Sequence, residues 1–408
     1  MKKLLIVGIA AVALVGLVRA ELPRESGTTF VRDALKPYVA DGRLPGAIAV
    51  LYNDGVQETA CVGYADVAAK RPIALDDPYM QCSQTKGFCG VTVAKLVEDG
   101  KISLDDPVSK YLPEFKTLWV KVAETNDVIT LAKAKNVLTV RMVMNHTGGF
   151  PFEIPAKQNS VPGGGWSGGM PIRSVAATAA AQPLLFEPGT REQYSNTGID
   201  IGAAVVEAVT GKKWEVYLKE TVLDPLGMKS TWFWPTDEQL SRQIEMYAAF
   251  KDKSAERWVQ NGWQQRPYND SHVFASAGAG LWTTVNDQLK FYKMLMNLGV
   301  GDNGARILKA ETVKSILAVT TRPQSMGGYS LGLSAPKVDG ENEWFGHGGA
   351  WGTSCMVNWH RKQLKLWAIQ IGGGSGWAWS GDYNKAVDAF FKAKLDDAAT
   401  KEYTGRTK

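Results

Sequence analysis

The hydrophobic pattern of the chain changes its period twice, and this change limits the folds that the 408 residues can adopt. Near the N-terminus, Gly46–Tyr52 and Gln57–Tyr64 have the pattern of strands and are joined by an Asn-Asp-Gly turn, which is typical of a β-hairpin. From Ser83 to Asp99 the apolar residues recur at helical spacing, and Gly100 is a typical helix stop. The pattern therefore predicts strands first and helices from Ser83 onwards.

Strand-like patterns return near the C-terminus. Thr353–Trp359 and Leu364–Ile371 are each typical of a strand, and Asp382–Asp397 is typical of an amphipathic helix. Three further helices are predicted between the two groups of strands, at Ile199–Val209, Glu215–Val222 and Thr284–Met296. This order predicts an α/β fold of the α+β type, in which both ends of the chain build one antiparallel sheet flanked by helices.

The same order predicts how the chain is organised. We expect a single unit over residues 21–398, because the helices are inserted between two groups of strands that share one sheet. An α/β lobe would contain residues 21–80 and 325–398, and a large, mostly helical lobe would contain residues 81–324. Residues 399–408 would form a polar tail. A cleft between two such lobes is a typical place for a ligand.

The first twenty residues have the pattern of a secretory signal peptide. Lys2 and Lys3 precede a short apolar run that ends at Val18, and Ala20 supplies the small residue before a cut. Cleavage after about Ala20 predicts a periplasmic or secreted chain, and no later stretch has the length of a membrane span. Without the three basic residues of this leader, 46 Lys and Arg become 43, against 41 Asp and Glu. A nearly neutral chain with no basic block argues against a nucleic-acid partner.

The four cysteines do not form a disulfide or metal-binding pattern. Cys61, Cys82, Cys89 and Cys355 are irregularly spaced. Cys82 and Cys89 are separated by about 10 Å of helical rise, which is too far for a bridge. The chain has no Cys-x-x-Cys pair and only four histidines, so no metal site is predicted, and no cofactor either. We expect mostly buried free thiols.

The first of three short motifs is Ser83-Gln84-Thr85-Lys86, at the start of the predicted helix. Ser83 and Lys86 are three residues apart and project from the same face of the first turn. A lysine in a desolvated pocket can take the proton of a serine nucleophile, and the helix N-terminus favours an oxyanion. The structural alternative is that Ser83 only caps the helix and that Lys86 is solvated.

The second motif is Tyr194-Ser195-Asn196. A phenol near an ammonium can act as a phenolate or relay a proton, and a neighbouring amide can orient a substrate carbonyl. The alternative is a tyrosine packed at the start of a helix that the asparagine caps.

The third motif is His347-Gly348-Gly349-Ala350, just before a predicted strand. Two glycines at a strand edge let a ligand approach the backbone, where a free N–H can complete an oxyanion hole. The alternative is a β-bulge that contains a hydrogen-bonded histidine. His146-Thr147-Gly148 has the same His-x-Gly pattern, but it precedes the tyrosine motif and follows a short helix. We therefore interpret His146 as structural.

Together, the order and the surroundings of the three motifs resemble those of the serine β-lactamase-related family. That family includes class C β-lactamases, DD-peptidases and esterases of the family VIII type. Four further segments are similar to segments of the family: Ile102–Pro113, Asn145–Gly149, Asp224–Met228 and Ser276–Leu281. The resemblance extends from about residue 35 to residue 395.

The resemblance implies a role for each residue of the motifs. Ser83 would be the acylated nucleophile, Lys86 its base and Tyr194 the proton shuttle to the leaving group. The residues that orient the substrate would be Asn196, His347, Gly348 and Gly349, and the oxyanion hole would consist of the backbone N–H groups of Ser83 and Ala350. The expected partner is a small molecule or peptide with an ester or amide bond.

The third motif departs from the pattern of the family. Class C β-lactamases usually carry Lys-Thr-Gly there, whereas this chain has His347-Gly348-Gly349. A neutral histidine does not supply the fixed positive charge that a substrate carboxylate would meet. The departure favours an esterase or a D-amino-acid or DD-type peptidase, with β-lactamase activity as the alternative.

Two other interpretations remain open from the sequence. Gly165-Trp166-Ser167-Gly168-Gly169 fits the Gly-x-Ser-x-Gly elbow of α/β-hydrolases. That motif needs a strand before it and a helix after it, and here it lies in a Gly/Pro-rich loop over Val161–Pro171. A non-catalytic sensor of cell wall or β-lactams on the same fold is the other interpretation, because a fold does not determine a function.

Overall fold

The computed structural model describes residues 24–25, 27–154, 170–247, 273–317, 328–335, 344–371 and 379–396. The predicted leader, the Ser167 motif and the polar tail lie outside these ranges. The described part confirms the predicted fold class, because helices flank a large, mainly antiparallel sheet to which both ends of the chain contribute.

The strands are, in chain order, β1 (Arg24–Glu25), β2 (Gly46–Asn53), β3 (Val56–Asp66), β4 (Arg71–Pro72), β5 (Tyr79–Met80), β6 (Trp119–Thr125), β7 (Val128–Lys133), β8 (Trp282–Thr283), β9 (Gly328–Tyr329), β10 (Ser334–Ala335), β11 (Phe345–Gly349), β12 (Thr353–Asn358) and β13 (Gln363–Ala368).

The α-helices are α1 (Phe30–Ala40), α2 (Thr85–Glu98), α3 (Val140–Met144), α4 (Ile172–Ala180), α5 (Asn196–Thr210), α6 (Trp214–Leu218), α7 (Asp224–Leu226), α8 (Asp237–Leu240), α9 (Val285–Met296), α10 (Ala310–Leu317) and α11 (Ser380–Asp396). Short 3-10 turns cover Cys82–Gln84, Val108–Lys110 and Pro113–Lys116.

The main sheet joins the two ends of the chain edge to edge. Its order is β1-β3-β2-β13-β12-β11-β10-β9, with β4 beside β3, so the N-terminal strands meet the C-terminal strands where β2 pairs with β13. That pair is antiparallel and places Ala49 opposite Trp367. Only β1 and β3 pair in parallel among the described strands of this sheet. The two-stranded pairs β5-β8 and β6-β7 lie outside it.

The predicted hairpin at the N-terminus is confirmed and has a cause in its turn. Asp54 and Gly55 both have positive φ, 42° and 91°, which matches the right-handed twist of the two strands. Strand β2 is apolar along its length because both of its faces are covered. Ile48 and Val50 belong to the large core with the central helices, and Leu51 belongs to a smaller core with α1 and α11.

The helix predicted at Ser83–Asp99 begins later than expected. A 3-10 turn over Cys82–Gln84 precedes α2, and the serine therefore lies before the regular helix. The predicted stop is confirmed, since Gly100 has a φ of 67° just after the helix ends. Helix α5 begins three residues earlier than predicted, at Asn196, because the Ser195 side chain accepts the Gly198 N–H and caps it.

The helix predicted at Glu215–Val222 is divided in the structure. Helix α6 ends at Leu218 and a π-helical turn follows over Lys219–Leu223. Pro225 has no N–H to donate to the carbonyl of Thr221, so the regular hydrogen-bond ladder cannot continue into it. The pattern of apolar residues identified the helix but not this break.

The cysteines match the sequence prediction. All four are free, and Cys82, Cys89 and Cys355 are buried while Cys61 is half-buried. Of the helices in the described ranges, none has the length and apolar character needed to cross a membrane.

Gly332 lies where the backbone passes directly over helix α2, so its substitution tests this contact. A Cβ on Gly332 would lie 2.1 Å from the carbonyl oxygen of Lys86, and the residue has a φ of 70°. Gly211 has a φ of 67° but open space around it. Gly211→Ala should cost about 1 kcal/mol and Gly332→Ala roughly 3 kcal/mol, because only the second adds overlap to backbone strain. Urea unfolding of both variants measures the difference, and equal losses would contradict the contact.

Candidate active site

The structure brings the residues of all three motifs together. The 3-10 turn before α2 carries Ser83, the start of α5 carries Tyr194 and Asn196, and strand β11 carries His347. The hydroxyl of Tyr194 lies 3.4 Å from Nε2 of His347. The ring of the same tyrosine lies 4.7 Å from Nζ of Lys86.

Lys86 is completely buried and contacts the serine hydroxyl. Its Nζ lies 3.0 Å from Oγ of Ser83 and donates to the carbonyl of Gly278 at 2.6 Å. No side-chain cap is present at the start of α2. The structural alternative for the first motif, with a capping serine and a solvated lysine, is therefore wrong.

A buried aspartate holds the loop that accepts from Lys86. Asp200 accepts from the N–H of Gly278 at 3.1 Å and lies 3.3 Å from Oγ of Ser276. A Cβ on Gly278 would lie 2.8 Å from Cβ of Asn196, so only glycine lets this loop approach α5. The segment Ser276–Leu281 thus supplies a carbonyl to the site, a role that its resemblance to a family segment did not indicate.

A strained turn presents Ser83. Cys82 has a φ of 50°, which is rare for a residue with a side chain and typical of functional turns. The hydroxyl of Thr85 donates to the carbonyl of Cys82 at 2.7 Å and stabilises this turn. Burial raises the pKa of the Cys82 thiol, while Lys86 and the N–H groups of Trp351 and Ala350 oppose this shift. The loop after β11 therefore lies against the residue before Ser83.

Tyr194 is a neutral phenol in this environment. Burial raises its pKa, and a hydrogen bond with Ser83 opposes part of that shift. A raised pKa means that the hydroxyl keeps its proton near pH 7. Of the two chemistries that the sequence left open, the environment favours a proton relay over a standing phenolate.

His347 is also neutral. Burial and the charge of Lys86 lower its pKa to about 3, and its Nδ1 lies 2.5 Å from the carbonyl oxygen of Gly348. Strand β11 pairs regularly with β12, with His347 opposite Cys355, so the bulge considered as an alternative is absent from this pair. This ring places no fixed positive charge in the site.

The two glycines of the third motif differ in what they allow. A Cβ on Gly349 would lie 2.4 Å from the carbonyl oxygen of Gln81, so this glycine lets β11 approach the segment just before Ser83. A Cβ on Gly348 would lie at an ordinary van der Waals distance from its nearest neighbour. Gly348 and Ala350 are exposed beside the 3-10 turn that carries Ser83.

Asn196 is held by a carboxylate that the sequence analysis did not identify. Its Nδ2 donates to Oε1 of Glu153 at 2.7 Å, which fixes the orientation of the amide. Its Oδ1 is buried without a hydrogen-bond partner among the described atoms. The Asn196 N–H also donates to the carbonyl of Phe152 at 3.0 Å. The amide oxygen is thus free to accept from a bound molecule.

One further residue of the site, Tyr329, was missed, and another, His146, was interpreted as structural. His146 is buried, with its ring 4.5 Å from that of Tyr194 and 4.2 Å from that of Tyr329. The structural interpretation of His146 was incomplete, because the ring packs against the tyrosine of the second motif. Tyr329, whose hydroxyl is 3.1 Å from Nε2 of His347, had no sequence signal beyond a preceding pair of glycines. The His-x-Gly pattern was a signal for His146.

A metal site is not evident in the described ranges, which contain no group of three or more His, Cys, Asp or Glu side chains suited to hold an ion.

The geometry can be compared with known proteins. A model of the beta-lactamase family matches residues 31–364. The chain belongs to the beta-lactamase family. A putative D-alanyl-D-alanine carboxypeptidase of Escherichia coli K12 is 26% identical over 303 residues, which are 66% of this chain and 64% of that protein.

Solved structures share the fold. EstCE1, described as a hydrolase with promiscuous acyltransferase activity, superposes with a TM-score of 0.72 and 20% identity over 88% of this chain and 97% of that one. A D-stereospecific amidohydrolase from Streptomyces sp. superposes with a TM-score of 0.63 and 23% identity, over 88% of this chain and 97% of that one. The predicted resemblance is confirmed, and the chain is a member of a family of serine hydrolases.

The buried histidine of the third motif predicts a pH dependence of stability. The pKa of His347 is about 3 in the folded chain and about 6.5 when unfolded, so the unfolded chain binds the proton first. Stability should therefore fall as the pH falls below about 6.5, with up to about 1.4 kcal/mol per pH unit from this residue. Urea unfolding between pH 7 and about pH 4 should give a shallower slope for His347→Gln than for the wild type. Parallel slopes would refute a neutral buried ring.

Proposed function

We propose that this chain is an exported serine hydrolase that cleaves an ester or amide bond through an acyl-enzyme on Ser83. The observation that carries the proposal is the buried amine of Lys86, 3.0 Å from the Ser83 hydroxyl. Burial disfavours the charged ammonium form, so more of the amine is in the neutral form that can accept a proton. The leader-like residues 1–20 support export to the periplasm or outside the cell.

In the proposed acylation step, Ser83, Lys86 and Tyr194 exchange protons in sequence. Oγ of Ser83 attacks the substrate carbonyl carbon while its proton passes to Nζ of Lys86. The N–H groups of Ser83 and Ala350 stabilise the tetrahedral oxyanion, and one such donor is worth about 100- to 1000-fold in rate. As the intermediate collapses, the leaving group takes the hydroxyl proton of Tyr194, and Tyr194 recovers a proton from Lys86.

Deacylation follows the same path in reverse. Tyr194 passes its proton to Nζ of Lys86 and takes one from water, or from another acceptor, as that molecule attacks the ester carbonyl on Ser83. When the tetrahedral intermediate collapses, the bond to Oγ of Ser83 breaks, and Oγ takes the proton from Nζ of Lys86. The neutral phenol suits both directions, because it can give a proton in one step and regain it in the next.

The neutral ring of His347 supports esters and D-amino-acid peptides or amides as substrates. Nothing at this ring offers the fixed charge that the carboxylate of a β-lactam would meet, so β-lactamase activity is the less supported alternative. The similarity to the D-stereospecific amidohydrolase supports amides as substrates, and the similarity to EstCE1, described as a hydrolase with promiscuous acyltransferase activity, supports an acyl-enzyme. The buried Oδ1 of Asn196 would accept from an N–H of the substrate.

Covalent labelling tests the nucleophile. A fluorophosphonate probe should add one adduct to the wild-type chain, and peptide mass spectrometry should place it on Ser83. The Ser83→Ala variant should not be labelled, whereas Ser167→Ala, in the competing Gly-x-Ser-x-Gly motif, should be labelled like the wild type. The opposite pattern would assign the chemistry to Ser167. Failure of both this probe and a labelled penicillin to label the wild-type chain would reject the acyl-enzyme.

Turnover tests the proton relay and the substrate class. With p-nitrophenyl esters, D-alanine p-nitroanilide and nitrocefin as a panel, we expect the ester or anilide to be hydrolysed faster than nitrocefin. Tyr194→Phe should lower kcat by roughly 100- to 10,000-fold with little change in KM, since the phenol acts only in the reacting complex. A faster nitrocefin reaction would favour the β-lactamase alternative, and acylation without turnover would favour a sensor.

A further inference from the structure

Two tyrosine hydroxyls approach the same nitrogen of His347. The hydroxyl of Tyr329 lies 3.1 Å from Nε2 and that of Tyr194 lies 3.4 Å from it. The carbonyl of Gly348 can only accept, so Nδ1, 2.5 Å away, carries the ring proton. With a pKa of about 3 the ring is neutral near pH 7, and Nε2 offers a single lone pair. Only one of the two tyrosines can donate a full hydrogen bond to it.

The position of Tyr329 favours it as that donor. Strand β9 pairs with β10 and β10 pairs with β11, with Ser334 opposite both Tyr329 and Gly346. This register aligns Tyr329 with Gly346, the residue before His347, two strands away. The side chain is 1% exposed, and burial raises its pKa, so the hydroxyl keeps its proton. The hydroxyl of Tyr329 is also closer to Nε2 of His347 than the hydroxyl of Tyr194 is.

Packing keeps the two hydroxyls from exchanging places. The ring of His146 packs against both tyrosine rings, with its centroid 4.2 Å from that of Tyr329 and 4.5 Å from that of Tyr194. Nδ1 of His146 accepts the N–H of Ser195 at 3.2 Å, which anchors this ring to the start of α5. The two tyrosine rings meet edge to face with centroids 6.3 Å apart.

We propose that Tyr329 is a positioning residue: its hydroxyl donates to Nε2 of His347 and so prevents His347 from capturing the hydroxyl of Tyr194. The proton of Tyr194 then remains directed to Ser83 and to the leaving group. The proposal rests on the proposed function, because it is the acyl-transfer role of Tyr194 that the hydrogen bond protects. Without Tyr329, the Tyr194 hydroxyl would be the remaining tyrosine donor near Nε2, and that hydrogen bond would have to break in every turnover.

The hydrogen bond itself can be observed without any substrate. The chain has four histidines, so 15N labelling of histidine gives a small set of ring resonances in the full protein. We expect Nδ1 of His347 to be protonated and its Nε2 resonance to stay in Tyr194→Phe. The resonance should move in Tyr329→Phe, where the longer contact from Tyr194 replaces that from Tyr329, and should move further when both tyrosines are changed to Phe, because no tyrosine hydroxyl then remains near Nε2. Tyr383→Phe is the matched control, because Tyr383 is equally buried in the smaller core with α1 and α11. A resonance that moves with Tyr194→Phe instead, or with neither variant, overturns the proposal.

The kinetic consequence separates positioning from packing. Tyr329→Phe should lower kcat roughly 3- to 10-fold, the worth of one hydrogen bond, with KM changed less than about twofold. In a His347→Leu background the same substitution should change kcat less than about twofold, because the acceptor is gone. Equal losses in both backgrounds would show that Tyr329 acts through packing or substrate contact, and this would overturn the proposal. Tyr383→Phe should retain the wild-type kcat.

The two proposals fail in different ways. If Ser83 is never acylated, the proposed function fails, while the 15N resonances still decide whether Tyr329 donates to His347. If Ser83 is acylated but Tyr329→Phe neither moves the Nε2 resonance nor lowers kcat, only the positioning role fails. Circular dichroism and the urea midpoint of each variant verify that it is folded before either result is used.

Discussion

Complete burial of the Lys86 side chain requires acceptors for its protons, because an unpaired amine inside a protein costs several kcal/mol. Oγ of Ser83 and the carbonyl of Gly278 meet this requirement at 3.0 and 2.6 Å. The Gly278 carbonyl is available only because Asp200 holds its loop against α5. Ser83 and the distant loop that contains Gly278 are thus linked through the buried nitrogen of Lys86.

Close approach of backbones makes this enclosure geometrically feasible. Side chains at Gly278, Gly332 or Gly349 would overlap the site, each with a different neighbour: Asn196, the Lys86 carbonyl and the Gln81 carbonyl. These glycines lie on separate segments of the chain. Gly278 lets its loop approach the start of α5, Gly332 lets the backbone approach the first turn of α2, and Gly349 lets β11 approach the residue before the 3-10 turn that carries Ser83. Tight packing around Lys86 excludes water from its amine, and a desolvated amine is less favoured in its charged form.

The groups around the lysine are kept neutral. Burial raises the pKa of Tyr194 and Tyr329 and lowers the pKa of His347 and His146, so each carries its neutral form near pH 7. Neutral donors and acceptors can exchange protons with a substrate without first losing a fixed charge. The neutral ring of His347 also places no fixed positive charge at the third motif.

The sequence by itself determined the elements of the fold that depend on local pattern. The hairpin at Asp54-Gly55, the helix that ends at Gly100 and the two C-terminal strands follow from hydrophobic period and turn chemistry. It also identified the residues of the three motifs, from their types and order and from their resemblance to the family whose model matches the chain. The break before Pro225 was missed because apolar spacing does not report which N–H is absent.

Only the tertiary structure decided what those residues do to one another. Tyr329 and Tyr194 lie 135 residues apart in the sequence, and His146 lies 48 residues before Tyr194, yet the three rings pack together. Protonation states followed from burial, which no local pattern contains: Tyr194 is a phenol and His347 a neutral acceptor because the fold removes water from both. Local sequence specifies residue types and their order, whereas enclosure by distant segments sets their charge and their hydrogen-bond partners.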